Sequence, residues 1–197
     1  MITIHILKVL NIEKLPKMNQ TKLSRFIGQI YKGYRRDVEY HNDMHGLDVL
    51  QMTYIFLTQG RVIEFAQMSE LDALSVCIAA ICHDFKHDGF TNGYHVNTIS
   101  DRAILFSDQS VQENFHAAES FAILNQKDYN FLEEFSRDDF KTFRQRFIGI
   151  ILATDMARHT SDLAKMKTLL EQRGITNGNK RELLIDRESH KKEFDSK

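Results

Sequence analysis

Two short stretches concentrate residues able to bind a metal ion or move a proton. The first, YHNDMHGLD, places His41 and His45 four residues apart, with Asp48 seven beyond His41. On a helix such spacing puts all three on one face. The second, HDFKHDG, sets His83 beside Asp84 and His87 a turn further on. Adjacent helical residues point about 100° apart, so His83 and Asp84 converge on one ion only where the helix ends or where two ions lie side by side. Imidazole nitrogens and a carboxylate suit Zn²⁺ or a comparable transition ion, with Mg²⁺ or Mn²⁺ where oxygens dominate. No cysteine joins either cluster, which argues against a structural zinc finger. Each cluster also has a plainer reading. The first pair could be surface or packing histidines, and His83 and Asp84 could bond each other and end a helix. Ser110 and Glu113 fit a capping box, Asp155 and His159 an intrahelical pair. His5, His95 and His190 read as surface residues.

These residues need helices to hold them. Leu23, Phe26, Ile27 and Ile30 recur at helical spacing, as do Leu47, Leu50, Tyr54 and Leu57, with Gly60 placed for a left-handed cap. LDALSVCIAAI, apolar nearly all round, predicts a central buried helix running into the His83–Asp84 doublet. Val111, Phe115, Ala118 and Ala122 mark another face, Phe143, Phe147, Ile150 and Ile151 a further one, and Leu163, Met166 and Leu170 a last helix closed by Gly174. Strand-like alternation is missing outside a few residues near the start. Nine glycines and one proline in 197 residues fall below the usual share of roughly 12% that turn-rich sheets need. The expectation is an all-α domain, followed over residues 187–197 by a charged, solvated tail.

Composition narrows the partners. With 26 Lys+Arg against 27 Asp+Glu, the net charge of -1 gives no general attraction to nucleic acid or an anionic membrane. No stretch of about 18 apolar residues predicts a membrane span, and no signal peptide is evident. Cys77 and Cys82 sit in the apolar run and read as reduced, buried thiols of a cytoplasmic protein.

Taken together, YHNDMHGLDV and HDFKHDGFTN, then SDQSVQENFHAAESFAIL and ILATDMARH, resemble in order the motifs of class I 3′,5′-cyclic nucleotide phosphodiesterases. These enzymes belong to the HD superfamily of metal-dependent phosphohydrolases. The family pattern reads YHN-x-x-H-x-x-D-V, HD-x-x-H-x-G-x-x-N, Ser-Val-x-Glu-Asn-x-His and Thr-Asp-Met-x-x-His. The resemblance implies a multi-helix bundle that hydrolyses cAMP or cGMP in signal transduction with two divalent ions, zinc and magnesium or manganese. It implies that His45, His83 and Asp84 are ligands, with Asp84 touching both ions, and that His41, on the same helix, is the general acid for the departing O3′. His87, Asn92, Glu113, Asn114 and His116 would lie around the ligands or beside the phosphate. Thr154 and Asp155 would support the site from a third helix.

The sequence also departs from the family. The family's later part supplies another aspartate ligand and a glutamine that clamps the purine. Here NKRELLI leads instead into DRESHKKEFDSK, with Asp186 too early for that ligand and Asp195 in the charged tail. The reading is therefore a partial catalytic domain over residues 1–186, incomplete at its C-terminus, with a second ion site one carboxylate short. Exposed apolar faces around Phe143–Leu152 and weakened activity follow as expectations. The competing reading is an inactive fragment that binds ligands or forms a homodimer.

Overall fold

The structure is a computed structural model that describes residues 2–12, 15 and 18–172. The expected tail, Gly174, Asp186, His190, Asp195 and the boundary at 186 lie outside the described residues. Among these residues there are ten α-helices and no strand, so the all-α expectation holds. Two compact units divide the chain, residues 1–155 and 156–197.

In the first unit α1 (Ile2–Val9) and α2 (Gln20–Gly33) precede α3 (Asp43–Thr58), the short α4 (Val62–Phe65) and α5 (Glu70–Cys82). α6 (Asn92–Asn97) and α7 (Asp101–Leu105) are brief, and α8 (Val111–Leu124) and α9 (Arg137–Leu152) complete the bundle. α5 is its axis. Ser69 starts it with a capping box: its hydroxyl accepts from Asp72 N at 3.2 Å while its own N–H donates to Asp72 Oδ2 at 2.9 Å. From Ala73 to Cys82 almost every side chain is buried, chiefly against α9 and α3. Burying each Leu or Ile there contributes about 1.5–3 kcal/mol, which fixes the helix and the direction in which its C-terminal end points. Cys77 and Cys82 are free and buried, as expected.

The face foreseen for α2 is the one it buries, Leu23, Phe26, Ile27 and Ile30. α9 buries Phe143, Phe147 and Ile151 against its neighbours, so the exposure anticipated there does not occur. α8 corrects a further expectation: Ala118 and Ala122 are exposed, and the buried face carries Gln112, His116 and Ser120 beside Val111 and Ile123. Apolar spacing misreads this helix because Gln112 and His116 Nδ1 find partners inside. Gly60 is likewise not left-handed, since α3 ends at Thr58 and Arg61 takes the positive φ of 55°. Glycine is still needed at 60, where a Cβ would lie 2.5 Å from Phe56 O.

The second unit holds a turn of 3₁₀ helix (Met156–Arg158) and α10 (His159–Gln172), on which Leu163 and Met166 are exposed. Asp162 pairs there with Lys165 at 3.0 Å. No described helix is long and apolar enough to cross a membrane.

Candidate metal centre

α3 delivers His45 because Asn42 caps it. Asn42 Oδ1 accepts from Met44 N at 3.0 Å and His45 N at 3.4 Å, while its amide donates to Val38 O and Glu39 O at 3.1 and 3.0 Å. The helix therefore begins after His41, correcting the expectation that His41 and His45 share one helical face. They remain neighbours, with ring centroids 5.7 Å apart, because the capped turn folds His41 back. Asp48 is exposed on α3 and stays out of the cluster.

α5 delivers His83 and Asp84 by ending on them. His83 is its C-cap, still at helical φ -61° and ψ -27°, and Asp84 opens the turn that follows, where both side chains converge. His83 Nε2 lies 3.0 Å from Asp84 Oδ2 and 3.1 Å from His45 Nε2, and His45 Nε2 lies 3.2 Å from that oxygen. Ligand bonds of about 2.0–2.2 Å at angles between 90° and tetrahedral put neighbouring donor atoms about 2.8–3.6 Å apart. This triangle meets that requirement. His83 Nδ1 lies 2.9 Å from Ala80 O, which only accepts, so Nδ1 carries the proton and Nε2 turns its lone pair inward. Burial opposes the charged form of His83, yet the bond and field of Asp84 raise its proton affinity overall. Burial likewise opposes ionisation of Asp84, but hydrogen bonds from the protonated rings of His45 and His83 hold its carboxyl well below the usual range. Two imidazole nitrogens and an ionised carboxylate oxygen that converge on one point are suited to a divalent cation, which takes up those lone pairs. The residues present fit a metal ion.

The other oxygen of Asp84 faces elsewhere. His116, on α8 and 1% exposed, puts Nε2 3.8 Å from Asp84 Oδ1, with no hydrogen bond to that nitrogen. Its Nδ1 lies 2.7 Å from Phe85 O, and burial drives the ring down to about 3, so it is neutral with a lone pair on Nε2. Asp84, His87 and His116 thus form a second group whose donor atoms lie within 4.8 Å of one another. His87 differs in kind. Its Nδ1 accepts from Gly89 N at 2.9 Å, so the neutral ring carries its proton on Nε2 and offers a donor. Burial first, then the neighbouring His41, lowers it to about 4. His41 stacks on it at 4.0 Å and 16°, and burial lowers His41 too, against the pull of Asp84.

The remaining predicted residues divide. Asn92 Nδ2 donates to Glu113 Oε2 at 2.9 Å, and burial raises the Glu113 pKa. That replaces the capping box expected of Ser110 and Glu113. Ser110, at φ 42°, donates instead to Asp155 Oδ2 at 2.7 Å and so joins α8 to the turn beyond α9. Asn114 bonds the backbone of Gln109 and Ser110, and Thr154 bonds Ile151 O, so neither side chain turns to the cluster. Thr154 and Asp155 lie past the end of α9 rather than on a third helix. Sequence reasoning missed Asn42 as a cap and misplaced His95, which is 4% exposed and bonded to Ser100 Oγ at 2.9 Å. Asp88, Arg102 and Gln112 were missed with it. A glutamine inside a buried helix face was the available signal.

Residues 40–194 match the family described as 3′5′-cyclic nucleotide phosphodiesterase. The chain is 34% identical over 155 residues to a probable 3′,5′-cyclic phosphodiesterase, pde-1, of Caenorhabditis elegans, covering 78% of this chain and 23% of that protein. It is 38% identical over 138 residues to the 3′,5′-cyclic-nucleotide phosphodiesterase regA of Dictyostelium discoideum, covering 70% and 17%. Among solved structures, the phosphodiesterase domain of the RhoPDE fusion protein from the choanoflagellate Salpingoeca rosetta superposes with a TM-score of 0.81 at 32% identity, covering 89% of this chain and 54% of that one. The chain thus spans a quarter or less of these two curated relatives and about half of the solved domain.

Proposed function

The chain belongs to the 3′,5′-cyclic nucleotide phosphodiesterase family, and on that premise we propose that it hydrolyses cAMP or cGMP to the 5′-monophosphate, acting in the cytoplasm. His45, His83 and Asp84 would hold one divalent ion, zinc. Asp84 would share a second, magnesium or manganese. The observation that carries the reading is the triangle of His45 Nε2, His83 Nε2 and Asp84 Oδ2, each edge 3.0–3.2 Å.

When bound, such ions supply acidified water and neutralise charge on the phosphoryl oxygens. The chain's residues do the rest. Ala80 O keeps His83 in the tautomer that ligates, and the low proton affinity of Asp84 keeps it ionised at neutral pH. As water's oxygen bonds to phosphorus, the P–O3′ bond breaks and O3′ needs a proton. His41 is the donor in this reading. Burial alone would leave it neutral, but the phosphodiester's negative charge acts in the same sense as Asp84 and favours the protonated ring. His87 stacks against His41 and fixes its plane. Asn92 and Glu113, bonded to each other, would close the phosphate side.

The test is hydrolysis of cAMP and cGMP by the purified 197-residue chain with Zn²⁺, Mg²⁺ or Mn²⁺. Turnover that disappears in His41→Ala and in Asp84→Ala is the expected result. A folded sample that turns over neither nucleotide with any of these metals would refute the proposal.

A further inference from the structure

One residue beyond His87 lies a polar cluster that the proposed chemistry leaves unused. The Asp88 carboxylate receives Gln112 Nε2 at 2.7 Å, Arg102 Nη1 at 2.9 Å, His95 Nε2 at 3.3 Å and the backbone N of Phe90 at 3.2 Å. Gln112, 3% exposed, also donates to Phe90 O at 2.9 Å and accepts from Arg102 Nη1 at 2.7 Å. The Arg102 guanidinium carbon sits over the Phe115 ring, 3.6 Å from its centroid. One carboxylate thereby joins the turn after α5 to α6, α7 and the first turn of α8.

We propose that Asp88, Arg102 and Gln112 are positioning residues that set the phosphate-side wall of the metal centre; this rests on the function proposed above. Two routes lead from the cluster to that wall. On one side, Asp88 accepts from Phe90 N and closes the turn in which Gly89, at φ 92°, donates its N–H to His87 Nδ1. Asp88 therefore decides which nitrogen of His87 bears the proton. On the other side, the backbone N–H of Gln112 donates to Asn92 Oδ1 at 2.8 Å, and Asn92 donates to Glu113. The Gln112 side chain ties this first turn of α8 to Asp88 and Phe90 O, and so sets where that backbone N–H holds Asn92 against the carboxylate beside it. Stability alone does not call for this arrangement, because replacing a buried polar group of this kind with well-packed apolar residues is often neutral or favourable. What a fully bonded polar network adds is a single geometry. Asp88 and Gln112 also occupy positions that the patterns HD-x-x-H-x-G and Ser-Val-x-Glu-Asn leave open, so the family resemblance gives them no role.

Gln112→Leu tests this, since it keeps the buried volume and removes the side-chain carboxamide, both its donor to Asp88 and Phe90 O and its acceptor for Arg102. In the metal-free 197-residue chain at pH 8, long-range ¹H–¹⁵N NMR should find His87 wholly in the Nε2–H tautomer, and mixed tautomers in the variant. With Mn²⁺ loaded, inorganic phosphate should bind the variant at least tenfold more weakly while Mn²⁺ affinity changes less than threefold. A folded Gln112→Leu that keeps both the His87 tautomer and the phosphate affinity overturns the proposal. Should that variant not fold, Arg102→Met, which retains an apolar stem over Phe115, gives the same readouts. A wild-type chain that binds neither Mn²⁺ nor phosphate would sink the proposed function. The tautomer comparison needs no metal and still decides the positioning role.

Discussion

Replacing Asn42 with alanine separates what the third residue of the Tyr-His-Asn motif does from what its two histidine neighbours do. Asn42 touches no ligand atom, yet it accepts from the amides of Met44 and His45 and donates to Val38 O and Glu39 O. Loss of an N-cap costs about 1 kcal/mol, and each lost side-chain-to-backbone bond about 0.5–1.5 kcal/mol, partly recovered by water at this half-buried position. The sum is about 2–3 kcal/mol, and at roughly 2–4 °C per kcal/mol for a domain of this size Tm should fall by about 4–12 °C. A second effect follows from His45 N being one of the capped amides. A supporting group that orients a ligand typically contributes 10–100-fold in metal affinity, so Zn²⁺ binding by calorimetry should weaken by that factor. Asn42→Asp supplies the discriminating arm. It can accept both amides and is favoured at a helix N-terminus, but cannot donate to Val38 or Glu39. It should bring Zn²⁺ affinity back within about threefold of wild type, while Tm recovers only in part. If Asn42→Ala lowers Tm and leaves Zn²⁺ affinity untouched, the argument that the cap aims His45 is wrong.

Three further outcomes follow from the packing. Gly33→Ala should cost about 1–3 kcal/mol in urea unfolding, because the new Cβ would lie 2.7 Å from Cζ of fully buried Phe85; an unchanged midpoint refutes it. Ser110→Gly should be less destabilising than Ser110→Ala by about 0.5–1 kcal/mol, since both lose the bond to Asp155 but only glycine suits φ 42°; the reverse order by thermal melting would contradict this. Burial pushes the Cys77 thiol up to about 12 and raises Cys82 further, so a thiol reagent at pH 8 should label neither in the native chain and both after unfolding.

Periodicity made α2, α5 and α9 legible because their buried faces are apolar and continuous. It failed on α8 for a physical reason. A helix whose inward face carries Gln112, His116 and Ser120 looks inside out until the partners of the first two are known, and these lie far off in sequence, at Asp88 and Phe85 O. Residue types at the metal centre were legible because the histidines and Asp84 are costly to bury without a partner. Their geometry was only half so. Four-residue spacing brought His41 to His45 by the wrong means, through a helical turn rather than through the capped bend that Asn42 ties to Val38 and Glu39.

His95 shows where composition alone runs out. Without a visible partner pattern it reads as a surface residue, yet it is buried because Ser100 and Asp88 satisfy both ring nitrogens. Satisfying both nitrogens also removes it from the supply of ligands, since neither lone pair nor proton is left to offer. His83 and His116 each spend Nδ1 on a backbone carbonyl and turn Nε2 inward as a lone pair. His87 spends Nδ1 as an acceptor and is left with a proton on Nε2. The four histidines therefore take three different chemical roles: side chains of Ser100 and Asp88 fix that of His95, and for His83, His87 and His116 the backbone group that meets Nδ1 chooses it.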